Sequence, residues 1–376
     1  MLKLKYNKNI ALNIKNLIIL MKYLIFLILA QIFNNVFNMA FPPKVTIIVP
    51  IYNLKPLYLN VSITSLIEQS LTEIEIILVD DKSNSTIYSL LDKFAKLDSR
   101  ITIIHKSKNE RTGYARNTGL DFVTGEYIGF LDHDDIAHRN LYFIAYQEAK
   151  DGDHTIVSFM SRNFREEDTY AFKNLPEYIS AQTKYKSEVF DEDYYNTVES
   201  IHVYPWNKIY KSSFILNNHF KFPNMSSDED VIFLYEYYPY VNDSIKKLRT
   251  KLVFRRKRKD SISSRLIPIK IRIFELFENL DRCINKWDKE GIINEKNSKK
   301  IMNVFYSFAN RYNHNDSFLK KAILDYLKKK RKVFNDRFIK LDKKHINFWK
   351  KLMNEVNDSC SNEYLTMIYG NKYCLY

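Results

Sequence analysis

Between residues 45 and 131 the chain alternates short unbroken apolar runs with longer stretches in which apolar residues return every three or four positions. The run VTIIVP at 45–50 is interrupted only by Thr46, the pattern of a strand covered on both faces, as in a parallel sheet. Helical spacing follows over 56–69, where Leu59, Ile63, Leu66 and Ile67 share a face. The cycle then repeats. A buried strand is predicted over 74–79, a helix over 85–96 with Ile87, Leu90, Leu91 and Phe94 inward, and a strand over 101–105. A short helix over 115–122 and a fourth strand over 127–131 complete the series. Strand and helix alternating at this pace predict an α/β fold. Its doubly wound, mostly parallel sheet is flanked by helices, with ligands at the carboxyl ends of the strands.

Two stretches fall outside this rhythm. After about residue 265 glycine nearly disappears, and Lys-rich amphipathic segments follow over 267–287, 298–312, 317–332 and 345–356. They predict a helical C-terminal region, 265–376, packed on or tethered to an α/β domain spanning 45–264. At the other end, Lys3, Lys5, Lys8 and Lys15 precede an apolar stretch over 17–33 that only Lys22 and Gln31 interrupt. Residues 1–44 therefore read as a signal anchor or as a cleavable signal peptide with Ala40 near the cleavage point, the alternative being a buried amphipathic helix. As an anchor, the flanking lysines would favour a single-pass protein with a cytosolic N-terminus and a lumenal catalytic domain. A soluble secretory-pathway protein and a cytoplasmic one are the alternatives.

Composition narrows the field without choosing within it. Hydrophobic residues make up 45% and charged residues 27% of the 376, a globular balance that excludes a disordered chain. The net charge of +14 suits an anionic partner such as a phosphorylated substrate, nucleic acid or an acidic membrane surface. The basic residues are not joined to any recognisable nucleic-acid-reading word, so no nucleic-acid partner is expected. Cys283, Cys360 and Cys374 are an odd number without metal-ligand spacing, which excludes a complete disulfide framework.

Candidate chemistry sits where strands should end. Asp80-Asp81 follows the second strand, and Asp132-His133-Asp134-Asp135 follows the fourth. Carboxylates there project into the crevice where doubly wound sheets bind nucleotides, and two of them one residue apart on a turn can face a hard divalent cation such as Mn²⁺ or Mg²⁺. Aspartates are also ordinary turn and helix-capping residues, and the two readings stand side by side.

Six words resemble glycosyltransferase family 2, in that family's order. They are VTIIVPIYN (45–53), EIEIILVDD (73–81), GYARNTGL (113–120), GEYIGFLDHDD (125–135), PWNKIYKSSF (205–214) and SDEDVIF (227–233). The resemblance implies the GT-A fold and an inverting, metal-dependent glycosyltransferase of the hexosyltransferase class. Such an enzyme moves a sugar from a nucleotide-diphosphate donor, with a UDP-sugar as first guess, to a hydroxyl on a glycan, glycolipid or glycoprotein. It implies nucleotide contacts for Asp80 and Asp81, the metal at Asp134, and ribose or shared metal at Asp132. Arg116 would reach a phosphate or orient the acidic residues, or else form a buried salt bridge beneath the site. Asp230 would be the catalytic base, with Glu229 and Asp228 as weaker candidates for that role and Asp228 also for the acceptor. Trp206 is an acceptor-stacking residue or an ordinary core tryptophan. Arg255 would close over the diphosphate, while most of the basic run 246–259 reads as solvated or membrane-facing surface.

The pattern departs from the family in two loops. Lys82 and Arg111 stand where glycine is usual, which should restrict positive φ there. The Gln-x-x-Arg-Trp word of processive members is missing, so a polymerising synthase is not expected. The alternative is a catalytically silent relative that binds nucleotide sugars or carbohydrate. Asn-x-Ser/Thr sites occur at Asn60, Asn84, Asn224, Asn242, Asn315 and Asn357, and a glycan at Asn84 would crowd Asp81.

Overall fold

A computed structural model describes residues 42–165, 203–241, 244–258 and 269–294, with 297, 300, 301, 304 and 326. The chain divides into two units, residues 1–43 and 44–376, and everything below concerns the second. The predicted leader falls almost wholly outside the described residues, as do most of the segments expected over 298–356. Among the described residues, no helix is long and apolar enough to cross a membrane.

The alternation predicted for the first half is present. In chain order it runs β1 (Val45–Ile51), α1 (Pro56–Ile67), β2 (Ile74–Asp80), α2 (Ser85–Leu97), β3 (Ile101–His105), α3 (Arg111–Leu120) and β4 (Tyr127–Phe130). There follow β5 (Ile136–Ala137), α4 (Leu141–Asp151), β6 (Ile156–Arg165), β7 (Lys208–Lys211) and α5 (Ser212–Asn217). Helix α6 (Glu229–Tyr237), β8 (Ile245–Lys257) and α7 (Ile269–Lys289) complete the described elements. One eight-stranded sheet runs β3-β2-β1-β4-β7-β6-β8-β5. The pairs β1–β2, β2–β3, β1–β4 and β6–β8 are parallel, and β4–β7, β6–β7 and β5–β8 antiparallel.

The unbroken apolar strands are buried because both faces are covered. Val45, Ile47, Val49 and Ile51 of β1 pack with Leu59, Ile63 and Leu66 of α1, Leu91 of α2 and Ala145 of α4. Ile48 points the other way, into a second core with Ala115 of α3, Ile232 and Tyr235 of α6, and Leu280 and Trp287 of α7. Because successive strand residues alternate faces, one heptapeptide feeds both cores. The chain moves outward from β1 to β2 and β3, then returns to place β4 on the far side of β1. That reversal makes the carboxyl ends of β1 and β4 a topological switch point, where a ligand crevice opens in such sheets. Register puts Ile51 beside Asp80 and Ile48 beside Phe130, so the segments carrying Asp81 and Asp132 leave the sheet close together.

Two expectations need correction. The basic run 246–259 forms most of strand β8, and surface holds for only part of it: Leu248, Leu252, Val253, Phe254 and Arg256 are buried, while Arg249, Lys251 and Lys257 are exposed. The many lysines and arginines, of which Arg249, Lys251 and Lys257 are exposed, masked an interior strand. Helix α3 begins at Arg111 rather than 115, because Asp81, thirty residues earlier, receives the backbone N–H just before it.

Candidate active site at the switch point

Asp80 and Asp81 are almost fully buried and brace the crevice wall. Asp80 accepts the Ser83 N–H through Oδ1 at 2.8 Å and meets His105 Nδ1 through Oδ2 at 2.8 Å. Asp81 accepts from Lys106 Nζ at 2.6 Å, and both its oxygens lie 3.0 Å from the Glu110 N–H, which caps α3 from a distant part of the chain. Lys82 and Arg111 adopt positive φ, 65° and 73°, so both loops keep the glycine-like conformation without the glycine. Asn84 is the N-cap of α2, its Oδ1 accepting the Ile87 N–H.

The word GYARN turns out to be a docking surface for the segment entering α6. Asn117 makes a reciprocal amide pair with the Phe222 backbone, 2.8 Å in each direction. A Cβ on Gly113 would lie 3.2 Å from Glu229 Cγ and 3.1 Å from the Pro223 carbonyl, so the close approach depends on its missing side chain. Arg116 donates to Asp132 Oδ1 through Nη2 at 2.8 Å and to Glu229 Oε1 through Nη1 at 3.1 Å. Burial would draw its proton affinity down, but Asp132, Glu229 and Asp230 together hold it above the ordinary arginine value. One buried guanidinium thus joins the acidic loop after β4 to the acidic start of α6.

The rest of the acidic loop is braced by β8. Arg258 Nε meets Asp134 Oδ2 at 2.7 Å, Arg256 Nε donates to the Asp134 carbonyl, and the Arg256 N–H donates to Asp135 Oδ1. Burial, and repulsion from Asp134 and Asp132, push the Asp135 carboxyl well above the usual carboxylate range. Across the crevice Asp228 takes a left-handed conformation, φ 62°, and Asp230 lies in the first turn of α6 with Oδ1 accepting the Val231 N–H. The positive end of the helix dipole favours an ionised carboxylate there.

Trp206 is 4% exposed and stacks on Tyr204 with centroids 4.9 Å apart, and the Arg255 guanidinium lies 5.1 Å from the Tyr204 ring centroid. Lys208, just beyond, is buried with Nζ donating to the Tyr204 carbonyl and Asn207 Oδ1. Burial lowers its proton affinity well below the ordinary lysine value, opposed by the charge of Asp230. Lys106, Asn117 and Lys208 were not among the residues expected at the site, and Arg258, expected only as one of the late cations that could close over the diphosphate, instead meets Asp134. Only Lys208 had a local signal, a cation inside the apolar word PWNKIY.

Residues 46–216 match the profile described as Glycosyl transferase family 2. Over those residues the chain is similar to the family 2 glycosyltransferases. Among curated proteins, the uncharacterized glycosyltransferase EpsJ of Bacillus subtilis is 31% identical over 192 residues, covering 51% of this chain and 53% of EpsJ. Glycosyltransferase GlyG of Streptococcus pneumoniae is 33% identical over 124 residues, covering 33% and 41%. The chain therefore spans about half or less of the length of these relatives. In three dimensions, the crystal structure of S. aureus TarS 1–349 in complex with UDP-GlcNAc superposes with a TM-score of 0.54 at 18% identity, covering 76% of this chain and 80% of that one. The match places the chain in the GT-A fold.

The acidic loop also has the donor chemistry for a divalent cation. No group of three or more His, Cys, Asp or Glu gathers into a metal cage among the described residues. A cation shared with a diphosphate needs only one or two protein carboxylates, since phosphate and water complete its shell. Burial first, and then the charges of Asp134 and Asp132, raise the Asp135 carboxyl, and a cation bound to those two aspartates would offset only the second cause.

Proposed function

We propose that this chain is an inverting, divalent-metal-dependent glycosyltransferase of the hexosyl-transferring kind. It would transfer a sugar from a nucleotide-diphosphate donor to a hydroxyl of a carbohydrate or glycolipid acceptor. The supporting observation is the Arg116 clamp, which holds Asp132 and Glu229 to one guanidinium and so brings the acidic loop and the base-bearing helix to one crevice. The first donor to test is a UDP-sugar, the class held by the TarS structure of the same fold.

Asp134 and Asp132 would hold Mn²⁺ or Mg²⁺, whose charge would screen the diphosphate and stabilise it as leaving group. Asp80 and Asp81 would keep the nucleotide wall in shape, and Arg255 would close over the diphosphate. Asp230 takes the proton of the acceptor hydroxyl as its oxygen bonds to the anomeric carbon. The bond from that carbon to the diphosphate oxygen breaks in the same displacement, and the electron pair leaves with the nucleoside diphosphate, inverting the anomeric centre. Asp228 and Glu229 flank the base, on the acceptor side and the Arg116 side. The apolar, lysine-flanked N-terminal segment would bring the domain to a membrane where a glycolipid acceptor resides. The curated relatives named above are bacterial, and nothing in them supports a lumenal orientation.

UDP binding by calorimetry with and without Mn²⁺, and UDP release from UDP-glucose, UDP-galactose and UDP-N-acetylglucosamine, test the proposal on the full chain. Asp134→Ala should lose metal-dependent binding, whereas Asp230→Asn should bind normally and lose turnover by about 10²–10⁴-fold. A parent that binds UDP with Mn²⁺ yet releases none from any sugar would favour the silent, carbohydrate-binding alternative.

A further inference from the structure

Helix α7 lies beyond the 46–216 segment that matches the family profile, yet it reaches the loop that leads to the proposed base. Glu275 Oε2 accepts both the backbone N–H of Ser226, at 2.9 Å, and the Ser226 hydroxyl. Ser226 precedes Asp228 by two residues and Asp230 by four. In between, Ser227 donates its hydroxyl to Asp228 Oδ2 at 3.0 Å, and Asp228 is held at φ 62°. A non-glycine residue stays in the left-handed region only where its surroundings over-determine it. Here they do so from two sides: Arg116 and the bare face of Gly113 against Glu229, and Glu275 against Ser226.

Glu275 can hold the loop because α7 is itself locked to α6. The buried Glu236 carboxylate of α6 receives Arg282 at 2.9 Å and Lys286 at 3.0 Å, and its backbone carbonyl receives Trp287 Nε1 at 3.1 Å. Leu276, Phe277, Leu280, Cys283 and Trp287 sit in the same core as Val231, Phe233 and Tyr235 of α6. Three polar ties and a shared core set the register of α7, and with it the place from which Glu275 reaches Ser226.

We infer that α7 is a working part of the site and that Glu275 is a positioning residue, which sets the geometry of the Asp228–Glu229–Asp230 turn through Ser226. The inference rests on the proposed role of Asp230. It assigns to the helical region next to the family domain the task of aiming the base, not of binding the donor. Loss of the contact therefore lowers turnover while leaving nucleotide affinity alone.

The test uses the full chain, Mn²⁺·UDP calorimetry, and UDP release from whichever UDP-sugar the parent hydrolyses. Ser226→Ala and Glu275→Gln should each lower kcat by roughly 10- to 100-fold, the scale for a displaced catalytic group, with the UDP Kd unchanged within about two-fold. The double variant should be no slower than the slower single one, because both break one link. Arg282→Met removes one of the three ties and leaves Lys286, Trp287 and the shared core to hold α7 in place, so it should lower the melting temperature without that loss of kcat. The inference is overturned if both variants keep the parent kcat, if UDP affinity falls in step with kcat, or if their losses multiply in the double variant. Asp230→Asn separates the two levels. If it is inactive while Ser226→Ala and Glu275→Gln are fully active, only the role of Glu275 falls. Should Asp230→Asn turn over like the parent, the base assignment falls and takes this inference with it.

Discussion

Arg116 Nη2 donates to Asp132 Oδ1 at 2.8 Å from a side chain only 4% exposed, while Asp132 itself keeps 30% of its side-chain surface. The pair is anchored from inside and open toward the crevice. A buried cation beneath a half-buried carboxylate holds that carboxylate in place for a ligand, while the cation itself stays out of solvent's reach.

Replacing the anchor should therefore damage the site and the fold together. Arg116→Met should cost about 2–3 kcal/mol by denaturant unfolding, below the 3–5 of a fully buried broken pair because the carboxylates can still reach water. Arg116→Lys should recover little, since an ammonium cannot serve two carboxylates in the fixed geometry of a guanidinium fork. In both variants Mn²⁺·UDP affinity should fall with stability. Normal affinity in Arg116→Met would mean that Asp132 needs no anchor.

Asp135 supplies a pH signature. Its carboxyl binds a proton more tightly in the folded chain than in the unfolded one, because of burial and of Asp134 and Asp132. Its penalty is thus absent below the unfolded value of about 4 and grows as pH rises toward the raised folded value. Asp135→Asn, which keeps an oxygen for the Arg256 N–H, should gain stability relative to the parent between pH 4 and pH 8 in EDTA. A difference between the two chains that stays flat across that range would show that Asp135 titrates normally.

Lys82 and Arg111 invert the usual effect of glycine. At φ 65° and 73° each carries a left-handed penalty of about 1–2 kcal/mol, against about 0.5–1 kcal/mol for the extra freedom glycine brings to the unfolded chain. Lys82→Gly and Arg111→Gly should each raise unfolding free energy by about 0.5 kcal/mol, measured in urea. If either also weakens UDP binding, its cation contributes to the donor site beyond shaping the loop.

Gly119 should behave oppositely to its helical setting. Gly→Ala inside a helix ordinarily stabilises by up to about 1 kcal/mol. Here a Cβ would lie 2.5 Å from Ile48 Cγ2 in the middle of β1, where neither partner can swing aside. Gly119→Ala should destabilise by about 1–3 kcal/mol, the cost of overpacking, and lower the melting temperature. An unchanged or raised melting temperature would mean that α3 is free to move off the sheet.

The local pattern alone determined a good part of this molecule. Continuous apolar runs identified β1 through β4, because a strand covered on both faces has no polar register to keep. Asp80, Asp81, Asp132 and Asp134 were legible at strand ends for the same reason, since polarity returns where the sheet stops. What the pattern could not supply were partners. Arg116 finds Glu229 across 113 residues, and Ser226 finds Glu275 across 49, while hydrophobic periodicity speaks only of neighbours within a turn or two. The fate of β8 was hidden likewise, its lysines and arginines reading as surface until the sheet put β6 and β5 on either side of it. Tertiary structure decided these matters because burial of a charge depends on which distant group meets it, and only the closed fold brings that group within reach.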